Sequence, residues 1–368
     1  MKLVVGLWHP AHVHFFKNFI WEMEAQGHDV TVFSRLKEHS IHLLDHHGIN
    51  YTLVGKHIKG SLSGKIKNIF TMVKEARSNI IKMERKPDMV MAVGALPLSI
   101  VGRLHRIPSL AFSDDDLWVL NTIYVLVCKK FLTPQGFSLR FKKLFDWKRI
   151  GYAGYHELAY LHPKRFTPDP LIYDFLNISE NQPYIIMRFV AWAAAHDRSQ
   201  KGFPLETVAE SVRQFEEKGY KVFISSEAEL PGDLEKNKIK IPPELIHHAL
   251  AYATLVIADS QTMTTEAAIL GTPVVRSNSF VGPRDLSNFK ELEERYGLIF
   301  NIRDPKAAMA KGLELVDIPD LKEQWARKRE KLLDEKIDVT AFMVWFVENY
   351  PESFKTMKKD PSIMDRFR

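Results

Sequence analysis

Two stretches hold the residues best able to do chemistry. The first runs from Leu255 to Val281, LVIADSQTMTTEAAILGTPVVRSNSFV. Its apolar start, Leu255 to Ala258, reads as a buried parallel strand, and Asp259 and Ser260 end it. Thr262 and Thr264 can cap the helix that follows, and Glu266 lies in its first turns. Gly271 stops the helix, and Pro273 opens a second strand, Val274 to Arg276. A helix N-terminus after a parallel strand offers free N–H groups and partial positive charge, which suit a phosphate. A carboxylate at Glu266 can accept two ribose hydroxyls. Together these make half of a nucleotide site. The same residues also suit an ordinary crossover in which Asp259, Ser260 and Thr264 are caps.

The second stretch is WHPAHVHFF, with His9, His12 and His14. It follows the first predicted strand, Lys2 to Trp8, and ligands of doubly wound sheets bind at such carboxyl ends. An imidazole there can take a proton from a hydroxyl near neutral pH. Helix capping and packing are the competing roles. The spacing of His9, His12 and His14, or of His39, His42, His46 and His47, is compatible with zinc. No Asp, Glu or Cys stands at motif spacing with either set, so no metal is expected. Asp114, Asp115 and Asp116 follow another predicted strand; they can orient a histidine, with Asp115 the central candidate, or cap the next helix.

In the second half, Arg188 ends a strand, and Trp192, His196, Asp197 and Arg198 follow in its loop. Arginine makes charge-assisted, bidentate bonds to diphosphate, and an ion pair is the competing role. Ser225, Ser226 and Glu227 end the next strand. His247, His248 and Tyr252 lie on the helix before the Leu255 strand, and Phe280, Val281 and Arg284 follow the last. The chain has no GxGxxG, no GxxxxGK[ST] and no GxSxG, so the dinucleotide fingerprint, the P-loop and the hydrolase elbow are absent.

The elements that must position these residues alternate. Strands are predicted at 2–8, 29–34, 51–54, 89–93, 109–112 and 131–133, with helices between them. GYAGYHELAYLHPKRFTPDP, residues 151–170, breaks the rhythm with three prolines and two glycines and reads as a connection. Alternation then restarts, with strands at 184–190, 221–226, 255–258 and 274–276. The pattern predicts an α/β protein of two doubly wound parallel sheets. The expected division is 1–165, 166–345 and a terminal segment 346–368.

The length, 368 residues, suits two domains, and 45% hydrophobic with 26% charged residues is ordinary for a globular chain. One cysteine, Cys128, allows no internal disulfide and points to a reducing compartment. No signal peptide is expected, because Met1 leads straight into a strand. The net charge of +6 is concentrated in the first half. Lys56–Lys86 carries nine Lys or Arg against Glu75 and Glu84, and Lys129–Arg149 carries seven against Asp146. These are solvated faces or an attraction to an anionic partner.

DSQTMTTEAAILGTPVV resembles the donor segment of GT-B glycosyltransferases and of UDP-N-acetylglucosamine 2-epimerases, where a glutamate holds the ribose of a UDP-sugar. The blocks HPAHVHFFKNFI, GYHELAYLHPKRFTPDP, YIIMRFVAWAAAHD and ADSQTMTTEAAILGTPVVRSNSFVG are similar to a GT-B-like family common in archaea and classed as a domain of unknown function. The first turn is similar to that of the lipid-linked N-acetylglucosaminyltransferase of peptidoglycan synthesis, whose His-Val matches His12 and Val13; the glycines of that turn are missing here.

The resemblance implies GT-B architecture, two Rossmann-like domains facing a central cleft, with 346–368 returning to the first. It implies a nucleotide-sugar site from Arg188, Trp192, His196, Ser226, His247, Asp259, Ser260, Thr264, Glu266 and Phe280. His12 is the first choice for catalytic base, with His9, His14 and Asp115 as the other candidates. The expected reaction is inverting transfer from a UDP-sugar to a hydroxyl acceptor, lipid-linked or otherwise anionic, with no cofactor. A UDP-sugar 2-epimerase is the alternative. A third reading, a non-catalytic binder of nucleotide-sugar or nucleic acid, is disfavoured because no aromatic–basic interleaving of an RNA platform appears. The expected place is the cytoplasm, at the inner face of the membrane.

Overall fold

A computed structural model describes residues 1–56, 62–114, 118–137, 146–189, 203–226, 229–230, 232–283 and 285–368. The chain divides into two compact units, Met1–Arg165 with Lys336–Arg368, and Phe166–Glu335.

The first unit carries seven strands: β1 (Lys2–Leu7), β2 (Asp29–Leu36), β3 (Tyr51–Lys56), β4 (Met89–Val93), β5 (Ser109–Phe112), β6 (Lys130–Pro134) and β7 (Arg149–Tyr152). Their order is β3-β2-β1-β4-β5-β6-β7, and every pairing is parallel. Parallel strands covered on both faces must be apolar along their length. β1 meets this with Leu3, Val4, Val5 and Leu7 fully buried. The Pro10–Ala25 helix buries Val13, Phe16, Phe19, Ile20 and Met23, the face that the 3.6-residue period predicts. The strand order reverses between β1 and β4, and the β1 turn lies at that switch point.

The first unit departs from expectation in two places. The stretch read as a connection opens on the last two residues of β7, and Leu158–Leu161 behind it is a buried helical turn. β7 is four residues long and opens with a buried arginine. The Arg149 guanidinium donates to Thr133 Oγ at 2.8 Å and to the Pro134 carbonyl at 3.2 Å. Neither alternation nor an apolar run marks such a strand. The second difference lies at the return crossing. The Val339–Glu348 helix packs on the Pro10–Ala25 helix within the first unit, burying Val339, Phe342, Met343 and Phe346. The sequence division leaves most of that helix in the second domain. Beyond it the Glu352–Lys359 helix and the Pro361–Phe367 turn stay on the first unit, where the Asp338 N–H donates to the Phe367 carbonyl at 2.8 Å.

The second unit carries β8 (Tyr184–Phe189), β9 (Lys221–Ser226), β10 (Leu255–Ala258), β11 (Val274–Arg276) and β12 (Ile299–Asn301), in the order β12-β11-β10-β8-β9. All pairings are again parallel. β12 was not expected; it is three residues long and follows a π-helical turn, Glu291–Arg295. The order reverses between β8 and β10, so the carboxyl ends of those strands form the ligand-binding position of this sheet type. Both units thus have the doubly wound α/β form that the alternation predicts. Among the described residues no helix is long and apolar enough to cross a membrane.

Candidate functional site

At the switch point of the second unit, β8 brings Arg188 beside the end of β9. Arg188 Nη1 donates to Ser225 Oγ at 3.0 Å, and the Arg188 carbonyl accepts from the Asp259 N–H at 3.1 Å. Ser226 is the last residue of β9 and is half-buried. Asp259 and Ser260 follow β10 and open the Gln261–Leu270 helix. Ser260 is its N-cap, with Oγ accepting the Met263 N–H at 3.4 Å. The cap is thus Ser260, one of the residues that the sequence offered as caps, and not Thr262 or Thr264. The buried Thr264 hydroxyl donates back to the Ser260 carbonyl at 2.6 Å and so serves its own helix. A guanidinium, short hydroxyls and a helix N-terminus therefore meet at the carboxyl ends of β8, β9 and β10, groups of a kind that suits a phosphate.

Glu266 lies deeper. Its carboxylate pairs with His247 on the neighbouring Ile246–Tyr252 helix, Nε2 to Oε1 at 2.9 Å, and both side chains are buried. Phe166 packs edge-on to the His247 ring. The His248 ring accepts the Asp169 N–H at 2.9 Å. Phe280 is half exposed, and its N–H donates to Asn278 Oδ1. Sequence reasoning passed over Arg276, the fully buried last residue of β11. It binds Asp285 at 2.6 Å and 3.1 Å and stacks on Phe289, which ties down the segment after the strand. A charged residue ending an apolar strand was its only signal.

In the first unit the rings of His9 and His12 lie 5.9 Å apart, and His14 is placed elsewhere. His9 is the exposed N-cap of the Pro10–Ala25 helix, and its Nδ1 accepts the Ala11 N–H at 3.3 Å. His12 Nδ1 accepts the Trp8 N–H, also at 3.3 Å. His14 belongs to the packing, buried and stacked on Tyr160 at 5.3 Å with His47 edge-on. Burial, then the charges of His9, His156, Arg35 and Lys37, hold His12 well below the usual imidazole range. Arg35, near the end of β2, donates to the Trp8 carbonyl at 2.8 Å and fixes this turn.

His156 was missed by sequence reasoning, although it stands in the GYHELAYLHP block. It is buried, its Nδ1 lies 3.4 Å from Asp114 Oδ2, and its ring packs 4.3 Å from that of Phe15. Burial lowers its pKa, and the Asp114 charge opposes that. Asp114 thus has a histidine partner, one of the roles that the sequence left open for the three acids. Asp115, Trp192 and His196 lie outside the described residues, as do Asp116, Asp197, Arg198, Glu227 and Arg284. Among the described residues no three His, Cys, Asp or Glu side chains converge as metal ligands, the histidines of the Glu38–His46 helix included.

Comparison with solved structures finds the same fold in proteins of low sequence identity. The MnaA–UDP co-structure from S. aureus is similar with a TM-score of 0.71 at 12% identity, over 96% of this chain and 97% of that one. UDP-GlcNAc 2-epimerase from Neisseria meningitidis, bound to UDP-GlcNAc, gives 0.65 at 14% identity, over 89% and 94%. The Streptomyces sp. SF2575 glycosyltransferase SsfS6, complexed with thymidine diphosphate, gives 0.59 at 12% identity, over 95% and 99%. At these identities the likeness is one of fold, the GT-B class with two parallel-sheet units. No curated protein matches the chain in sequence. The family described as Protein of unknown function (DUF354) matches over residues 1–341, nearly the whole sequence, and the chain belongs to that family.

Proposed function

We propose that this protein is an inverting glycosyltransferase that moves a sugar from a UDP-sugar to a hydroxyl acceptor. The observation that carries the reading is the phosphate-binding set at the switch point of the second unit: Arg188 against Ser225, with Asp259 and Ser260 at the start of the Gln261–Leu270 helix. Arg188, Ser260 and the first-turn N–H groups would stabilise the departing diphosphate. Ser226, Asp259, Thr264, Glu266, His247 and Phe280 would surround the nucleotide, together with Trp192 and His196, which follow β8 in the sequence. The acceptor would be held by the first unit, beside His9 and His12. The fold's likeness to proteins solved with UDP, UDP-GlcNAc and thymidine diphosphate supports a nucleotide-sugar donor. The basic residues of the first half favour a lipid-linked or anionic acceptor at a membrane surface.

The likeness to UDP-GlcNAc 2-epimerase supports a second reading, epimerisation at the same nucleotide site. Product analysis separates the two. Incubation with UDP-GlcNAc and no acceptor gives an epimer only in the second case. The nucleotide reading is tested by thermal shift with UDP, GDP and TDP, with and without EDTA, since a ligand of the native state raises its apparent stability. A selective UDP response that survives EDTA is expected. Equal responses to UDP and GDP, or loss of the response with EDTA, would count against the proposal.

A further inference from the structure

We infer that His156, held by Asp114 and stacked beside Tyr152, is the base that deprotonates a hydroxyl substrate in the first unit, the role the sequence assigns to His12. This rests on the glycosyl-transfer reading above. The argument begins with the proton on each ring. A neutral imidazole has one N–H, and the nitrogen that accepts a hydrogen bond is the bare one. His12 Nδ1 accepts the Trp8 N–H, so the His12 proton sits on Nε2. Its free end is therefore a donor, suited to hold an oxygen and not to take its proton.

His156 has the opposite arrangement. Asp114 Oδ2 faces its Nδ1 at 3.4 Å and draws the ring proton there. Nε2 is then the bare nitrogen. It is buried and has no hydrogen-bond partner among the described residues. The Tyr152 hydroxyl is in the same condition, fully buried and without a partner among the described residues. Its ring lies nearly parallel to that of His156, at 11° with centroids 6.4 Å apart. Buried polar atoms are almost always paired, so two unpaired ones on neighbouring rings mark a place for a polar ligand. The position fits one. Asp114 stands two residues past β5, Tyr152 ends β7 and His156 follows it, all at carboxyl ends of parallel strands. Burial keeps His156 neutral and ready to accept, and burial with the Asp114 and Glu157 charges keeps Tyr152 protonated as a donor.

In the step, Nε2 takes the hydroxyl proton as that oxygen bonds to the anomeric carbon. The bond from that carbon to the phosphate oxygen breaks, and its electron pair leaves with UDP. The imidazolium is held by Asp114 and then returns its proton to solvent. Tyr152 donates to the reacting oxygen, whose second lone pair attacks the anomeric carbon, and His12 Nε2 donates to another oxygen of the substrate.

The test compares wild type, His156→Gln, Asp114→Asn and His12→Gln. It reads UDP release from UDP-GlcNAc with water as acceptor, together with the thermal shift by UDP. Histidine ring ¹⁵N spectra are recorded near neutral pH. His156→Gln should keep the UDP shift and lose about a hundredfold or more in release, as general-base loss typically does. Asp114→Asn, at a partly exposed position that tolerates the change, should follow it and alter the ring spectrum of His156. Wild-type release from His156→Gln, or a larger loss in His12→Gln, would overturn the assignment. A proton on Nε2 of His156, or an imidazolium near neutral pH, would also overturn it. Absence of any UDP response in wild type would defeat the donor reading alone, and the ring spectrum would still judge this centre.

Discussion

The Nε2 atom of His247 lies 2.9 Å from Oε1 of Glu266, and both side chains are buried in the second unit. The carboxylate read as a ribose ligand is thus also a structural partner. The two roles separate on substitution. Glu266→Gln keeps the shape and one acceptor, so stability should fall by about 1 kcal/mol, the net worth of an ordinary hydrogen bond. Nucleotide affinity should fall more. Hydrogen bonds to a charged group contribute about 1.5–3 kcal/mol, roughly a tenfold to hundredfold rise in Kd for UDP. Calorimetric titration and urea unfolding of the same preparation measure both. A lowered stability with UDP affinity unchanged would make Glu266 structural only.

Gly154 should resist any side chain. A Cβ there would stand 2.6 Å from Cγ2 of Val339, which is fully buried at the start of the returning helix. The neighbouring Ile337 N–H donates to the Ala153 carbonyl at 2.9 Å, so this strand of the chain cannot simply move away. Gly154→Ala should cost about 1–3 kcal/mol as an overpacked core position. Adding Val339→Ala should recover part of that loss. Urea midpoints of the three variants check it, and a Gly154→Ala protein as stable as wild type would show that the returning helix is loosely held.

Acid should weaken the first unit through its histidines. His12 and His156 both titrate below the ordinary imidazole value in the folded protein, His12 by burial and nearby cations, His156 by burial against Asp114. Their unfolded pKa is about 6.5. Above that value both states are neutral and stability is unaffected. As pH falls below it, the unfolded chain takes protons that the folded one refuses, so stability falls by at most about 1.4 kcal/mol per pH unit for each group. Urea midpoints at about pH 7.5 and 5.5 should therefore differ less in His156→Gln than in wild type. An equal difference in both would mean that His156 accepts its proton as readily folded as unfolded.

Much of this was legible in the chain, for physical reasons. Apolar runs bounded by Gly and Pro mark buried parallel strands, and they placed ten of the twelve strands among the described residues. The two missed, β7 and β12, are short, and β7 is sustained by the hydrogen bonds of Arg149, which no pattern of apolar residues reveals. The Ser260 turn was legible because a cap, a helix and a glycine stop are local signals. Asp114 and His156 were not seen as a pair because 41 positions and two strands separate them, and only the sheet brings them together. His14 was overrated for the converse reason: adjacency in sequence to His12 puts it on another side of the same helix, against Tyr160.

The Leu62–Ile81 helix carries four of the nine cations of the first basic segment. Lys67, Lys74 and Arg77 are exposed there, with Lys82, Arg85 and Lys86 just behind. Between these cations Ile66 is 47% and Phe70 71% exposed, one helical turn apart on a single face. Large apolar groups flanked by lysines suit a helix lying on an anionic membrane. Each cation near such a surface contributes about 1 kcal/mol, and Arg85, already 2.7 Å from Asp88, should contribute least. The protein should therefore sediment with vesicles containing phosphatidylserine, and release as salt rises, because screening acts on the cations. Phe70→Ser should weaken binding at every salt concentration, while Lys67→Gln with Lys74→Gln should weaken it mainly at low salt. Vesicles of neutral lipid separate the two terms. Equal binding to neutral and anionic vesicles would remove the role of the cations. No sedimentation at low salt would leave Ile66 and Phe70 as an exposed apolar pair without a membrane partner.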